Sequence, residues 1–280
     1  MQNTDQTAYL AALEWQIDHG VDVCVENQAV IDRSQKKPTQ QTSQEEVPQA
    51  QKVATPTQDN SLQAVSITGS SQLKKEAIEL ASSINSLEEL SRVIQDFNGL
   101  DVKKTATNFV FSDGNPKAKI MLVGEAPGAD EDRLGKPFVG VSGQLLDKIL
   151  ACIGLDRHAE VAEDSIYISN ILNWRPPGNR TPTPQEMEIA KPFIEKHIAL
   201  INPDYLIFCG GVAAQTLLHT KDSISRLRGK KHEFSPQTLD LEKPIIAIAT
   251  YHPAYLLRTP SQKSKVWQDM LFLKKMMLER

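Results

Sequence analysis

Short, mainly apolar runs at Ile120–Gly124, Ile166–Leu172, Tyr205–Cys209 and Ile245–Thr250 have the length and composition of strands buried on both faces. Between them apolar residues recur at helical spacing, in SGQLLDKILACIG, PQEMEIAKPFIEKHIALI and VAAQTLLH, and a final amphipathic segment, QKSKVWQDMLFLKKMML, closes the chain. Ahead of the first run, SLEELSRVIQDF carries a capping box, Ser86 with Glu89, which predicts a further helix. Strand alternating with helix requires crossovers, and right-handed crossovers put helices on both faces of a parallel sheet. The pattern predicts an α/β protein, a three-layer α/β/α domain with a central four-stranded parallel sheet, over residues 72–280.

The first 71 residues read differently. Leu10, Leu13 and Ile17 make a short apolar stripe ended by Gly20, which predicts an amphipathic helix within residues 1–26. Residues 27–71, rich in Gln, Ser, Thr and Pro, bury too little surface to offset the entropy of ordering and predict a disordered tether. A helix on a tether suggests a docking motif for a protein partner; the alternative is a helix packed on the main domain.

Charge follows the same division. Nine Asp/Glu face four Lys/Arg up to Leu73, whereas 26 face 27 from Lys74 onward. The formal net charge of -4 therefore does not exclude a phosphate-rich partner for the second part, provided its bases share a face. The N-terminus lacks the basic and apolar regions of a signal peptide, and no apolar run approaches the roughly 20 residues of a membrane span. A cytoplasmic monomer with no membrane partner is expected. The three cysteines, Cys24, Cys152 and Cys209, are far apart and suggest neither a disulfide framework nor a zinc site.

Ligands of open parallel sheets gather at the carboxyl ends of the strands, so the residues after each run carry the chemistry. The first run ends in Gly124-Glu125-Ala126-Pro127-Gly128, and the second reaches Asn170 and leads to Trp174-Arg175-Pro176-Pro177-Gly178-Asn179-Arg180. The third ends at Gly210-Gly211, and the fourth enters Tyr251-His252-Pro253, followed by Leu256-Leu257-Arg258. No GxGxxG follows a strand, and the Gly-Lys of RLGKPF precedes Pro137 where a phosphate loop needs Ser or Thr. No Ser or Cys sits on a strand-to-helix elbow beside a His, and no paired His or Cys offers a metal site. An acid, an amide, an imidazole and the nearby Phe138 remain. Taken singly, His252 reads as a turn cap, Asn170 as a turn former, Phe138 as core, and Asp130 and Asp132 as a solvated acidic helix start.

Three long segments change that reading. VGEAPGADEDRLGKPFVGVSGQLLDKIL, YISNILNWRPPGNRTPTPQE and YHPAYLLRTPSQK resemble, in the same order, the signature regions of the family 4 uracil-DNA glycosylases, part of the uracil glycosylase superfamily. The similarity runs from about Asn108 to Leu271 and leaves the N-terminal helix and tether uncovered. It implies a DNA N-glycosylase that hydrolyses the N-glycosidic bond of uracil in DNA, leaves an abasic site and starts base-excision repair. Within it His252 would stabilise the leaving uracil anion at O2, and Asn170 would donate to O4 and accept from N3–H. Phe138 would stack on the base, and Gly124, Ala126 and Gly128 would form the turn around it. Some superfamily members carry a bulky residue at the Gly128 position, set against the thymine methyl. Glu125 would position the attacking water, with Glu131 and Asn179 as supports. Leu256, Leu257 and Arg258 resemble the loop that wedges into the duplex, although the two leucines read equally as cover for the C-terminal helix. Arg175, Arg180 and Lys263 are candidate phosphate contacts.

The sequence departs from the family at one place. Family 4 enzymes hold a [4Fe–4S] cluster on four cysteines, and the matching positions here are Phe97, Leu100, Trp174 and Ala190. None ligates iron, so no cofactor and no metal are expected, with apolar packing holding the same segments together. Two other readings stand beside the glycosylase: a non-catalytic DNA-binding or polymerase-associated module, and a glycosylase for another deaminated base.

Overall fold

The computed structural model of the protein describes residues 61–279. The expected N-terminal helix and most of the expected tether lie outside the described residues. The chain divides at Gln63/Ala64, and the architecture below belongs to the unit that starts at Ala64. Helix α1 (Ser61–Ser83) begins inside the stretch assigned to the tether. The helix has a legible signal, since Leu73, Ala77, Leu80 and Ala81 recur at helical spacing, the two alanines buried in the core and the two leucines packed against it.

The sheet has six strands: β1 (Ser112–Gly114), β2 (Ile120–Gly124), β3 (Tyr167–Asn170), β4 (Tyr205–Cys209), β5 (Lys231–Phe234) and β6 (Ile245–Thr250). They are ordered β1-β3-β2-β4-β6-β5. The four inner strands are parallel and are those expected from the apolar runs; β1 and β5 add antiparallel edges, so the sheet is mixed rather than four-stranded. Both edges lacked an apolar signature. β1 is only Ser-Asp-Gly, and β5, Lys-His-Glu-Phe, buries Phe234 alone.

Successive strand residues serve opposite faces, as period two requires. Met121, Val123, Leu206, Phe208, Ala247 and Ala249 enter one core with α1, α2 (Leu87–Asp96), α5 (Pro184–Ile201) and α6 (Gly211–Leu217). Leu122, Ile207, Cys209 and Thr250 instead meet Leu146, Ile149 and Leu150 of α4 (Val141–Ala151) and Val266 and Met270 of α9 (Lys263–Leu278). Helices on both faces make the three-layer α/β/α arrangement. The short helices α3 (Ala129–Leu134), α7 (Ile224–Leu227) and α8 (Pro253–Arg258) fill the loops around it. Ser86 caps α2 by accepting from Glu89 N at 3.1 Å, and Thr183 with Glu186 forms a full capping box on α5.

The carboxyl end of β6 is fixed by a buried network. Asp269 of α9 accepts from Thr250 Oγ1 at 2.8 Å and from Arg228 Nη2 at 2.7 Å, and Arg228 lies over the Tyr251 ring at 5.7 Å. Removing one partner of such a pair leaves an uncompensated buried charge. Asp269→Ala is expected to cost about 3 kcal/mol in urea unfolding; a loss within the noise of a surface substitution would show that this end of the sheet is held otherwise.

Candidate active site

Register builds the floor of the site. Gly124 closes β2 directly beside Asn170, its partner at the end of β3. A Cβ on Gly124 would stand 2.3 Å from Asn170 Oδ1 and 2.6 Å from Phe138 Cζ, so only glycine lets the amide and the ring share this corner. The Asn170 side chain is almost wholly buried, and its Oδ1 has no hydrogen-bond partner. Such an acceptor costs about 1–3 kcal/mol until a donor arrives.

A cavity of about 420 Å³ opens over this floor. Glu125, Ala126 and Gly128 line it from the turn after β2, Asn170 from β3, Phe138 from the loop before α4, and His252 and Arg258 from the two ends of α8. Glu131, Asn179 and Arg180 also reach it. Pro127, Ser142, Pro176, Ala254 and Tyr255 line it as well and were not singled out from the sequence. Ser142 lies in the first turn of α4, inside a segment quoted above for its helical pattern, and Tyr255 follows the imidazole by three residues in a motif already quoted.

His252 is the N-cap of α8. Its Nδ1 accepts from Ala254 N at 3.2 Å, which leaves Nε2 to carry the proton of the neutral ring. Turn cap and site residue are therefore one role here. Burial pushes the imidazole pKa down to about 4; the Glu131 carboxylate opposes this and the Arg258 charge adds to it. The ring lies 5.4 Å from that of Phe138, at 30°. Gly210, with φ +104, passes close beneath: a Cβ there would approach the His252 Cβ to 3.3 Å.

The carboxylates divide into two kinds. Burial alone raises the Glu125 pKa above the ordinary carboxylate range. Glu131 serves the backbone instead: Oε1 accepts from Val139 N and Gly140 N, each at 2.9 Å, and Oε2 from Gly128 N at 3.1 Å. It is a positioning residue for two loops. The space at Gly128 is bounded by the same group, because a Cβ there would stand 2.7 Å from Glu131 Oε2. Asp130 is half exposed and pairs with Arg133 at 3.1 Å, as a helix-start acid should. Asp132 is not solvated as expected. It is buried and accepts from Thr107 N and Asn108 N at 2.8 and 2.9 Å, tying that loop to α3.

The basic residues are partly engaged. Arg175 does not line the cavity; its Nε donates to Asn179 Oδ1 at 2.7 Å. Arg180 pairs with Glu186 at 2.6 Å. Leu256 is fully buried and cannot enter a duplex while α8 stays packed, which corrects its expected wedge role; Leu257 is 44% exposed and is the leucine that remains available.

The four positions equivalent to cluster cysteines do not fit iron. Phe97, Leu100, Trp174 and Ala190 are all buried in the apolar core. Phe97 meets Phe193 edge-on at 5.2 Å, Trp174 meets Phe109 at 5.2 Å, and Lys103 donates to Phe97 O at 3.3 Å while lying 5.8 Å from the Trp174 ring centre. Cys152 and Cys209 lie elsewhere, and no group of three metal-ligating side chains occurs among the described residues.

The depressed His252 pKa has a stability consequence. The unfolded chain takes up a proton near pH 6.5 and the folded one only near 4, so stability falls as pH drops through that window. His197, buried with a pKa near 3, acts in the same sense. His252→Asn keeps an N-cap acceptor but does not titrate, so its stability should decline less steeply between pH 6.5 and 4 in thermal unfolding. An unchanged slope would mean that the folded imidazole titrates normally.

The family model described as "Uracil DNA glycosylase superfamily" matches residues 111–271. A type-4 uracil-DNA glycosylase of Archaeoglobus fulgidus is 40% identical over 190 residues, covering 66% of this chain and 90% of the relative. The type-4 enzyme of Thermotoga maritima is 35% identical over 178 residues, covering 63% and 86%, and that of Pyrobaculum aerophilum 32% over 188 residues, covering 66% and 91%. With a matching model across the sheet and its strand-end loops, and relatives aligned over most of their length, the chain belongs to the uracil DNA glycosylase superfamily and to its type-4 branch.

Proposed function

We propose that this chain is a monofunctional uracil-DNA glycosylase that excises uracil from DNA as the first step of base-excision repair, working without an iron–sulfur cluster. One observation carries the reading: a buried, unpartnered amide oxygen on Asn170 shares a cavity with an imidazole whose proton is confined to Nε2.

The base must leave the stack to reach a cavity of this kind. Asn170 Oδ1 then accepts from uracil N3–H while its amide nitrogen donates to O4; cytosine presents the inverse pair, so both bonds fail together. Phe138 takes the face of the ring. As the N1–C1′ bond breaks, its electron pair moves onto uracil and charge gathers at O2, where the His252 Nε2–H donates. The neutral ring suits this task, since it holds its proton and remains a cap. The sugar, now oxocarbenium-like, is attacked at C1′ by a water whose proton passes to the Glu125 carboxylate. An abasic sugar bearing a C1′ hydroxyl results, the uracil leaves as its anion, and the proton taken up by Glu125 is returned through solvent to give neutral uracil and a free carboxylate. No lysine lines the cavity, so strand cleavage through an imine is not expected.

Arg258, which lines the cavity, and the exposed Leu257 next to it in sequence suit contact with a phosphate and with the vacated stack. A cavity complete within one chain suits a monomer. Four apolar positions in place of cluster cysteines support the cofactor-free reading, in which Phe97, Leu100 and Trp174 hold by packing what a cluster would hold by ligation.

Two experiments test this. Oligonucleotides carrying uracil opposite guanine, uracil opposite adenine, single-stranded uracil or hypoxanthine are incubated with the protein, and abasic sites are revealed with alkali. Uracil release is expected, falling on the order of 10²–10³-fold in His252→Ala and steeply in Asn170→Ala. Binding without release on every substrate would favour the non-catalytic module, and preferential release of hypoxanthine the other-base enzyme. Separately, iron analysis and visible absorbance of anaerobically purified protein should show no iron; about four irons per chain would overturn the cofactor-free reading.

A further inference from the structure

The structure assigns to Arg157 a positioning role in catalysis: its guanidinium holds the backbone of Phe138 in the conformation that presents the ring to the base. This rests on the proposed reading of Phe138 as the stacking surface.

Phe138 has φ +53, in the left-handed region that a bulky residue enters only at a cost of about 1–3 kcal/mol and keeps only when its surroundings hold it. Arg157 supplies one side of that hold. Its Nη1 donates to Pro137 O at 3.0 Å and its Nη2 to Phe138 O at 2.9 Å, so one planar fork takes two successive carbonyls. The fork is itself fixed, by Asp147 Oδ1 at 2.8 Å from Nε and 2.6 Å from Nη2 and by Asp113 Oδ2 at 3.3 Å from Nη1. The Arg157 side chain is 4% exposed and does not line the cavity. Glu131 supplies the other side through the amides of Val139 and Gly140. Gly143 lets α4 close on the turn, since a Cβ there would stand 1.9 Å from Phe138 O.

A residue buried by two acids and two carbonyls need not be more than a scaffold. What distinguishes a positioning role is that its effect passes through one ring. If Arg157 acts on chemistry by setting Phe138, its loss should matter little once the ring is gone. A general scaffold would matter in either background.

The test is a double-mutant cycle on single-turnover uracil release with Arg157→Lys and Phe138→Ala. Lysine keeps the charge toward Asp147 and Asp113 but cannot take both carbonyls. Arg157→Lys is expected to slow release on the order of 10- to 100-fold, as small misplacements of reacting groups do, with duplex affinity unchanged. In the Phe138→Ala background it should cost less than about twofold. Amide exchange at Val139 and Gly140 should speed up in Arg157→Lys, which reads the clamp without any turnover. Should Arg157→Lys not fold, Asp147→Ala, which removes the outer anchor and keeps the fork, takes its place in the same cycle. Additive losses, unchanged exchange, or faster exchange with unchanged turnover would each overturn the proposal. A wild-type protein that releases no uracil would defeat the functional reading instead, while amide exchange would still decide whether the clamp exists.

Discussion

An amide oxygen sealed from water with nothing to accept from is an unfavourable arrangement, and the surroundings of Asn170 are arranged so that it persists. Its place at the end of β3 follows from the register with β2, which sets it against Gly124. The missing side chain there admits both the amide and the Phe138 ring. Buried polar atoms are ordinarily satisfied, and the strand ends around this one leave a cavity of about 420 Å³ beside an unpartnered acceptor. The site depends on that deficit being held open.

Three acids around the strand ends are committed to holding loops and strands in place. Glu131 spends both carboxylate oxygens on loop amides, Asp132 fixes the segment at Thr107–Asn108, and Asp269 anchors the end of β6 through Thr250. The pKa of Glu125, which also lines the cavity, is raised by burial. The imidazole follows the same economy, since the hydrogen bond that starts α8 also decides which of its nitrogens bears the proton. Aromatic packing of Phe97 and Trp174 keeps their segments in the core.

Much of this was legible in the sequence wherever burial writes a continuous signal. The four inner strands follow from their apolar runs, three of them to the residue, because a parallel strand covered on both faces has no polar alternative. The edge strands β1 and β5 were missed because edges pair on one side only and tolerate polar residues. Motif order placed Glu125, Asn170, Phe138 and His252 at one cavity. Sequence could not say which leucine of the pair after His252 faces outward, because both orientations fit a loop; the short helix α8 turns Leu256 inward. Nor did it show that Asp132 is buried, because its partners are backbone amides some two dozen residues away. Arg157 was passed over for a similar reason, its role being written in carbonyls that carry no sequence signature.

The claim on which everything else turns is that the Asn170 carbonyl takes the N3–H of uracil. Nitrogen-15-labelled uracil titrated into the wild-type protein and into Asn170→Leu, with the imino proton followed by NMR, tests it directly. A protected, downfield N3–H signal in the wild type that vanishes in the leucine variant is the predicted result. An imino proton that stays in free exchange with water in the wild type, or one equally protected in the variant, would contradict it.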